Sequence, residues 1–190
     1  MIRSKNLTRI FTAAAVAFAL ALGAVFLSAC GQNSEQLIRD SLTEELESIK
    51  SMDESFMAEM EADSTFQQLE EFGIDANTFF TSYLSGFDYR IDDVTVDGDT
   101  ATATVVLTVK SINDFMTEFE SQSMALLDDP SIYTLSMDEM YDRIGTMMMD
   151  VLDGLPANET DPITITYELV DNTWTPTAEG QQAINAALMG

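Results

Sequence analysis

The stretch Tyr89–Lys110, "YRIDDVTVDGDTATATVVLTVK", sets the architecture of the chain. Tyr89 and Ile91, then Val94 and Val96, fall on every second position. Beyond Asp97-Gly98 the series resumes at Ala101, Ala103, Val105, Leu107 and Val109, with threonines on the other side. A period of two sends successive side chains to opposite faces, so each run requires a sheet with one covered face. Asp97-Gly98 between alternating β-branched runs is a hairpin signal, because a two-residue type I′ turn needs positive φ at both central positions. The phase slips by one between Ile91 and Val94, which predicts a bulge near Asp92-Asp93 and a bent strand.

Helical spacing surrounds this hairpin. Ile38, Leu42, Leu46 and Ile49 form one stripe, with Glu44, Glu45 and Glu47 between them. Phe56, Met57 and Met60, then Phe66, Leu69 and Phe72, predict one or two further helices ended by Gly73. Asp75 reads as the N-cap of another, carrying Phe79, Phe80, Tyr83 and Leu84 to a stop at Gly86. After the hairpin, Ser111-Ile-Asn-Asp114 and Ser136-Met-Asp-Glu139 resemble capping boxes, and Asp128-Asp129-Pro130 breaks the chain between the two helices that they open. The run Met147-Met148-Met149 suggests soft copper ligands, but adjacent helical residues point about 100° apart and the chain has no histidine, so packing explains it better.

The last region returns to alternation. Ile163, Ile165, Tyr167 and Leu169 share one side, Asp171-Asn172 turns the chain into Thr173-Trp174-Thr175, and a terminal helix carries Ala183, Ile184, Ala187 and Leu188. The expected fold is α+β: a curved antiparallel four-stranded sheet, with strands near 87–97, 100–110, 162–170 and 172–176, packed on helices. The order of helices, hairpin "VDGDTATATV" and a closing strand pair with the late Trp174 resembles the NTF2-like (cystatin-like) domains of bacterial lipoproteins. That resemblance spans about residues 75–188 and implies a cone-shaped cavity between sheet and helices. The departure is a two-helix insertion over 111–153, which either closes the cavity or replaces it with core. Phe79, Phe80, Tyr83, Tyr89, Tyr167 and Trp174 are the candidate cavity lining, with plain core as the alternative.

The N-terminus carries a different signal. Arg3, Lys5 and Arg9 precede an apolar run, Ile10–Leu27, interrupted only by Thr12 and Gly23. This is the layout of a secretory signal. Leu27-Ser28-Ala29-Cys30 then resembles the lipobox of bacterial lipoproteins, at which a diacylglyceryl group joins the cysteine sulfur and the signal is cut before it. The resemblance implies a signal peptide over 1–29, lipidated Cys30 with a short linker over 30–34, one domain over 35–190, and a location on the outward face of the bacterial cell membrane. With about 0.8 kcal/mol for each buried methylene, two acyl chains suffice as an anchor. The only cysteine would then be a thioether, which excludes thiol catalysis and disulfides.

All 33 acidic residues lie after Cys30, facing only Arg39, Lys50, Arg90, Lys110 and Arg143, so the mature chain carries −28. Nucleic acid is excluded as a partner because binding it needs a basic surface that releases counterions. Solubility is the plain consequence of such charge, and a preference for a basic protein partner is the sharper one. Asp92, Asp93, Asp97 and Asp99 lack the twelve-residue calcium loop with its closing glutamate, and no metal or cofactor is expected. The lipobox resemblance also implies that Asn158-Glu159-Thr160 is a chance glycosylation match, since bacterial lipoproteins do not meet the eukaryotic pathway. No residue spacing demands catalysis. The expectation is a tethered, non-catalytic binding or accessory domain for a small apolar ligand or a protein. The alternative is an isomerase or lyase using a buried carboxylate, Asp93 or Asp92, beside Tyr83, Tyr89 or Tyr167. The tether makes a direct prediction: intact mass of membrane-extracted protein gives an N-terminal Cys30 with acyl mass, and Cys30→Ser carries no acyl mass. A mature N-terminus elsewhere with no acyl mass contradicts it.

Overall fold

The computed structural model describes residues 34–62 and 66–189; the signal segment, Cys30 and the residues up to 33 lie outside the described residues. The chain runs through α1 (Ser34–Ser51), α2 (Glu54–Ala62), a 3₁₀ turn (Phe66–Phe72) and α3 (Ala76–Tyr83) into β1 (Asp88–Asp97) and β2 (Thr100–Lys110). Then come α4 (Ile112–Leu127), a second 3₁₀ turn (Pro130–Thr134), α5 (Met137–Gly154), β3 (Ala157–Glu159), β4 (Ile163–Val170), β5 (Thr173–Pro176) and α6 (Ala178–Met189). The strands make one open antiparallel sheet in the order β1-β2-β4-β5, with β3 also paired to β2.

Five strands stand where four were expected. β3 pairs with Thr108–Lys110, beyond the part of β2 that β4 covers. Three residues are too few for alternation to register, and Asn158-Glu159 is poor strand material by propensity. The neighbouring backbone supplies the pairing.

The bulge falls where the phase slip placed it: the register passes from Ile91↔Val105 to Asp93↔Thr104, leaving Asp92 as the extra residue. This returns Val94 to the covered face. Arg39 of α1 donates from Nη1 to the Ile91 carbonyl at 2.9 Å, so the helix is fastened to the sheet at the bulge. Lys50 pairs with Asp88 at 2.8 Å farther along the same helix. The hairpin turn differs from expectation. Asp97 pairs with Thr100, so the turn residues are Gly98 and Asp99, and only Gly98 has positive φ, +62°. That is a II′ pattern rather than I′, with glycine at its first central position. Asp171 and Asn172, at φ 50° and 66°, both take the left-handed conformation in the turn from β4 to β5.

The covered face of the sheet carries Val94, Ala101, Ala103, Val105, Leu107, Ile163, Ile165, Tyr167 and Trp174, all buried, while Thr95, Thr102, Thr164 and Glu168 stay exposed on the other. Such one-sided burial is what the alternation requires. The α1 stripe of Ile38, Leu42, Leu46 and Ile49 is buried in the same core. The insertion joins it through Ile112 and Phe115 of α4 and through Met148, Val151 and Leu152 of α5, so two of the three consecutive methionines, Met147 and Met148, serve as packing. Asp75 accepts from Thr78 N at 3.0 Å and Ser136 with Glu139 closes a reciprocal box, both as read, while Ser111 caps α4 through the single bond that it accepts from Asp114 N at 3.1 Å.

α5 crosses the first 3₁₀ turn at backbone distance. A Cβ built on Gly145 would lie 1.9 Å from the Phe72 carbonyl oxygen, whereas one on Gly154 would meet nothing within 4 Å. Alanine is a better helix former than glycine by about 1 kcal/mol. The two sites therefore predict opposite signs in urea denaturation: Gly145→Ala lowers the stability by roughly 1–3 kcal/mol or more through overpacking, and Gly154→Ala leaves it unchanged or raises it. A Gly145→Ala protein as stable as wild type contradicts the close crossing.

Candidate functional site

The six aromatics read as cavity lining occupy three places. Phe79 and Phe80 on α3 are 0% and 2% exposed and meet edge to face at 5.6 Å; Phe79 stacks on Tyr83 at 6.1 Å, and Phe56 of α2 closes on Phe80 at 6.4 Å. These rings fill space against one another. Tyr89 lies half-buried on β1, its hydroxyl donating to Glu47 Oε1 at 2.7 Å and its ring 5.7 Å from the Lys50 ammonium, which secures α1 to the sheet edge. Tyr167 and Trp174 are buried on adjacent strands. Trp174 Nε1 has no hydrogen-bond partner among the described residues.

The carboxylates proposed for chemistry are elsewhere. Asp92 and Asp93 are exposed, Asp92 paired with Arg90 at 2.6 Å and Asp93 accepting from Thr95 at 2.8 Å. Neither is buried beside a tyrosine. The carboxyl that takes this position is Glu45 of α1. It is half-buried, and desolvation, then the charge of Glu44, pushes its pKa up to about 8. Its neighbour is Tyr167, whose own pKa is raised by burial and then by the Glu45 charge. The sequence held a signal for it: Glu45 is three residues after Leu42 and four before Ile49, on the buried stripe itself.

A second buried polar group was not anticipated. Lys110, at the end of β2, is 4% exposed. Its Nζ donates to the Ser82 carbonyl at 2.8 Å and to the Leu152 carbonyl at 2.7 Å, in the last turns of α3 and α5. Ser82 also donates its hydroxyl to Asp153. Both carbonyls also accept a longer backbone bond, from Ser85 N at 3.2 Å and Leu155 N at 3.4 Å, and they carry the negative end of their helix dipoles, so the one ammonium adds a charge-assisted bond at each of two helix ends. Burial lowers the Lys110 pKa and the Asp153 charge opposes that shift. A lysine closing an apolar strand gives no periodic signal of such a role.

Three open grooves border the insertion. One of about 400 Å³ runs between α4 and α5 and is lined by Asp114, Glu118 and Asp150 among others. Another, of about 280 Å³, continues past Asp129, Arg143 and Asp150. A third, of about 410 Å³, separates α5 from the first 3₁₀ turn and carries Asp75, Asp142 and Asp150. None of the three is lined by any of the six aromatics. Arg143 is their only cation. Among the described residues, no group of three or more acidic, histidine or cysteine side chains is placed to hold a metal ion, and no helix is long and apolar enough to cross a membrane.

No family model matches the chain, and no curated protein matches it. Among solved structures, the candidate lipoprotein ycdA of Bacillus subtilis aligns over 83% of this chain and 47% of its own, at 14% identity and a TM-score of 0.41. The chain spans about half the length of that protein, and a likeness of this extent carries no argument.

The Glu45 environment predicts a pH effect with a definite sign. The folded protein holds the proton between about pH 4.5 and about 8, where the unfolded chain has released it. The unfolded state then binds fewer protons, so stability falls as pH rises through that window. Glu45→Gln cannot ionise. Its melting temperature is expected to pull ahead of wild type progressively from pH 5 to pH 8, and a constant difference across that range contradicts the assignment.

Proposed function

We propose that the chain is a lipoprotein tethered to the outward face of the membrane through Cys30, whose folded body is a non-catalytic binding domain for a basic protein partner. The tether rests on the basic start, the apolar run and Leu27-Ser28-Ala29-Cys30. The finer NTF2-like assignment rests on the "VDGDTATATV" hairpin and the late Trp174. The observation that carries the binding role is the fate of the aromatics, Phe79, Phe80 and Tyr83 packing on one another in the core, together with three open grooves that border the helical insertion. These grooves offer recognition a surface lined by carboxylates. Such a surface favours encounter with positive charge and resists anionic lipid.

One observation favours an enzyme as the second reading. Glu45 is a carboxyl held protonated at neutral pH beside a buried tyrosine, and an isomerase or lyase of the kind considered above uses such a pair.

Calorimetric titration of the full mature chain carrying Cys30→Ser with a lysine-rich peptide tests the primary reading. One peptide per domain is expected at low salt, with affinity falling at least tenfold by 0.3 M salt and unchanged in Glu45→Gln. No binding, or uptake at many equivalent sites, overturns it; a peptide-independent activity abolished by Glu45→Gln would move the assignment to the enzyme.

A further inference from the structure

The charge of the partner follows from the reading just given; where that partner docks is a separate matter. Five large apolar side chains stand exposed among the described residues, and four of them lie within 124–137 at the tip of the α4–α5 hairpin: Met124 at 59%, Leu127 at 61%, Tyr133 at 78% and Met137 at 62% exposure. Met124 and Leu127 are three residues apart on the last turn of α4, hence on one face. Tyr133 folds back so that its hydroxyl donates to the Leu127 carbonyl at 3.3 Å. Met137 opens α5 on the other side of the turn. All four belong to the chain that joins α4 to α5 and are together its exposed apolar cap.

The cap is held in place. Ile132 is buried beneath the turn, Asp129 caps it by accepting from Ser131 N at 2.9 Å, and the Ser136–Glu139 box fixes the start of α5. Apolar area on a fixed surface costs solubility and signals contact with something else. Its composition suits docking, because an aromatic anchor with flexible methionines adapts to a partner's side chains.

The occupant is specified by the rim. Asp128, Asp129, Asp138 and Glu139 flank these residues in the sequence and are exposed, and the nearest cation along the hairpin is Arg143. A second copy would bring the same four carboxylates against these, and anionic lipid would be repelled likewise. Like charges across an interface cost several kcal/mol, by contrast with the steering gained from opposite ones. We infer that this tip is the docking surface for a partner segment with an apolar centre and a basic rim, such as one face of a basic amphipathic helix.

The test uses the full mature chain carrying Cys30→Ser and three probes: a helical peptide of leucine and lysine with one apolar stripe, the same peptide with glutamate for lysine, and phosphatidylcholine vesicles. The leucine–lysine peptide is expected to bind. Tyr133→Ser with Leu127→Ser should weaken it at least tenfold, and Asp128→Lys with Asp138→Lys should do the same at low salt. Asp92→Lys with Asp93→Lys, remote in sequence and exposed on the β-hairpin, should change it less than twofold. Met124→Ser with Met137→Ser alters only exposed side chains and serves as the second variant should the tyrosine change disturb the turn. Retained affinity in both apolar variants overturns the tip as the site and leaves the binding role standing. Absence of peptide binding by the wild type removes both. Tip-dependent binding of the glutamate peptide or of the vesicles overturns the assignment to a basic protein segment.

Discussion

An ammonium group buried between two helix ends fastens the helical insertion to the sheet. Lys110 takes its charge out of water, which costs several kcal/mol unless acceptors replace the lost hydration. Here the acceptors are the Ser82 and Leu152 carbonyls, with Asp153 supplying a compensating charge. The position matters as much as the bonding. The chain leaves the sheet for the helical insertion directly after Lys110 and returns at Ala157, which pairs with Lys110 in the β2–β3 ladder. Both ends of the insertion are therefore pinned at one residue, and α3 is drawn to the same point through Ser82.

From this anchor the division of labour in the fold follows. The base of the insertion joins the core through Ile112, Phe115, Met148, Val151 and Leu152, and α5 approaches the first 3₁₀ turn so closely at Gly145 that no side chain fits. The interior is spent on packing. Its outer side keeps open anionic grooves and, at the far turn, exposed apolar side chains. A lipid at Cys30 would confine these surfaces to the neighbourhood of the membrane.

Features with a strong local cause were legible in the sequence. The period-two runs gave β1, β2, β4 and β5, the slip between Ile91 and Val94 gave the bulge, and Asp75, Ser111 and Ser136 gave the helix starts because a cap is decided within four residues. What depends on a distant partner was not. β3 exists only because Thr108–Lys110 offers it a ladder, and the turn at Gly98-Asp99 took its type from the register of the flanking strands. Glu45 sat visibly on the α1 stripe, yet its charge argued for solvent; Tyr167, which shares its environment, is more than a hundred residues away. Asp92 and Asp93, which the enzyme alternative needed buried, are exposed at the bulge that the same stretch encodes.

The central claim is that Lys110 pins the insertion to the sheet, and amide hydrogen exchange of wild type against Lys110→Met measures it residue by residue. Local openings report the free energy of the unit that opens. Without the ammonium, the two carbonyls keep only the longer bonds from Ser85 N and Leu155 N, and each lost charge-assisted bond costs about 1.5–3 kcal/mol. The amides of α4 and α5 are then predicted to exchange at least roughly tenfold faster, in line with that loss, while those paired between β2 and β4 keep their protection. Unchanged exchange in the insertion, or a uniform loss across sheet and insertion alike, would contradict the account.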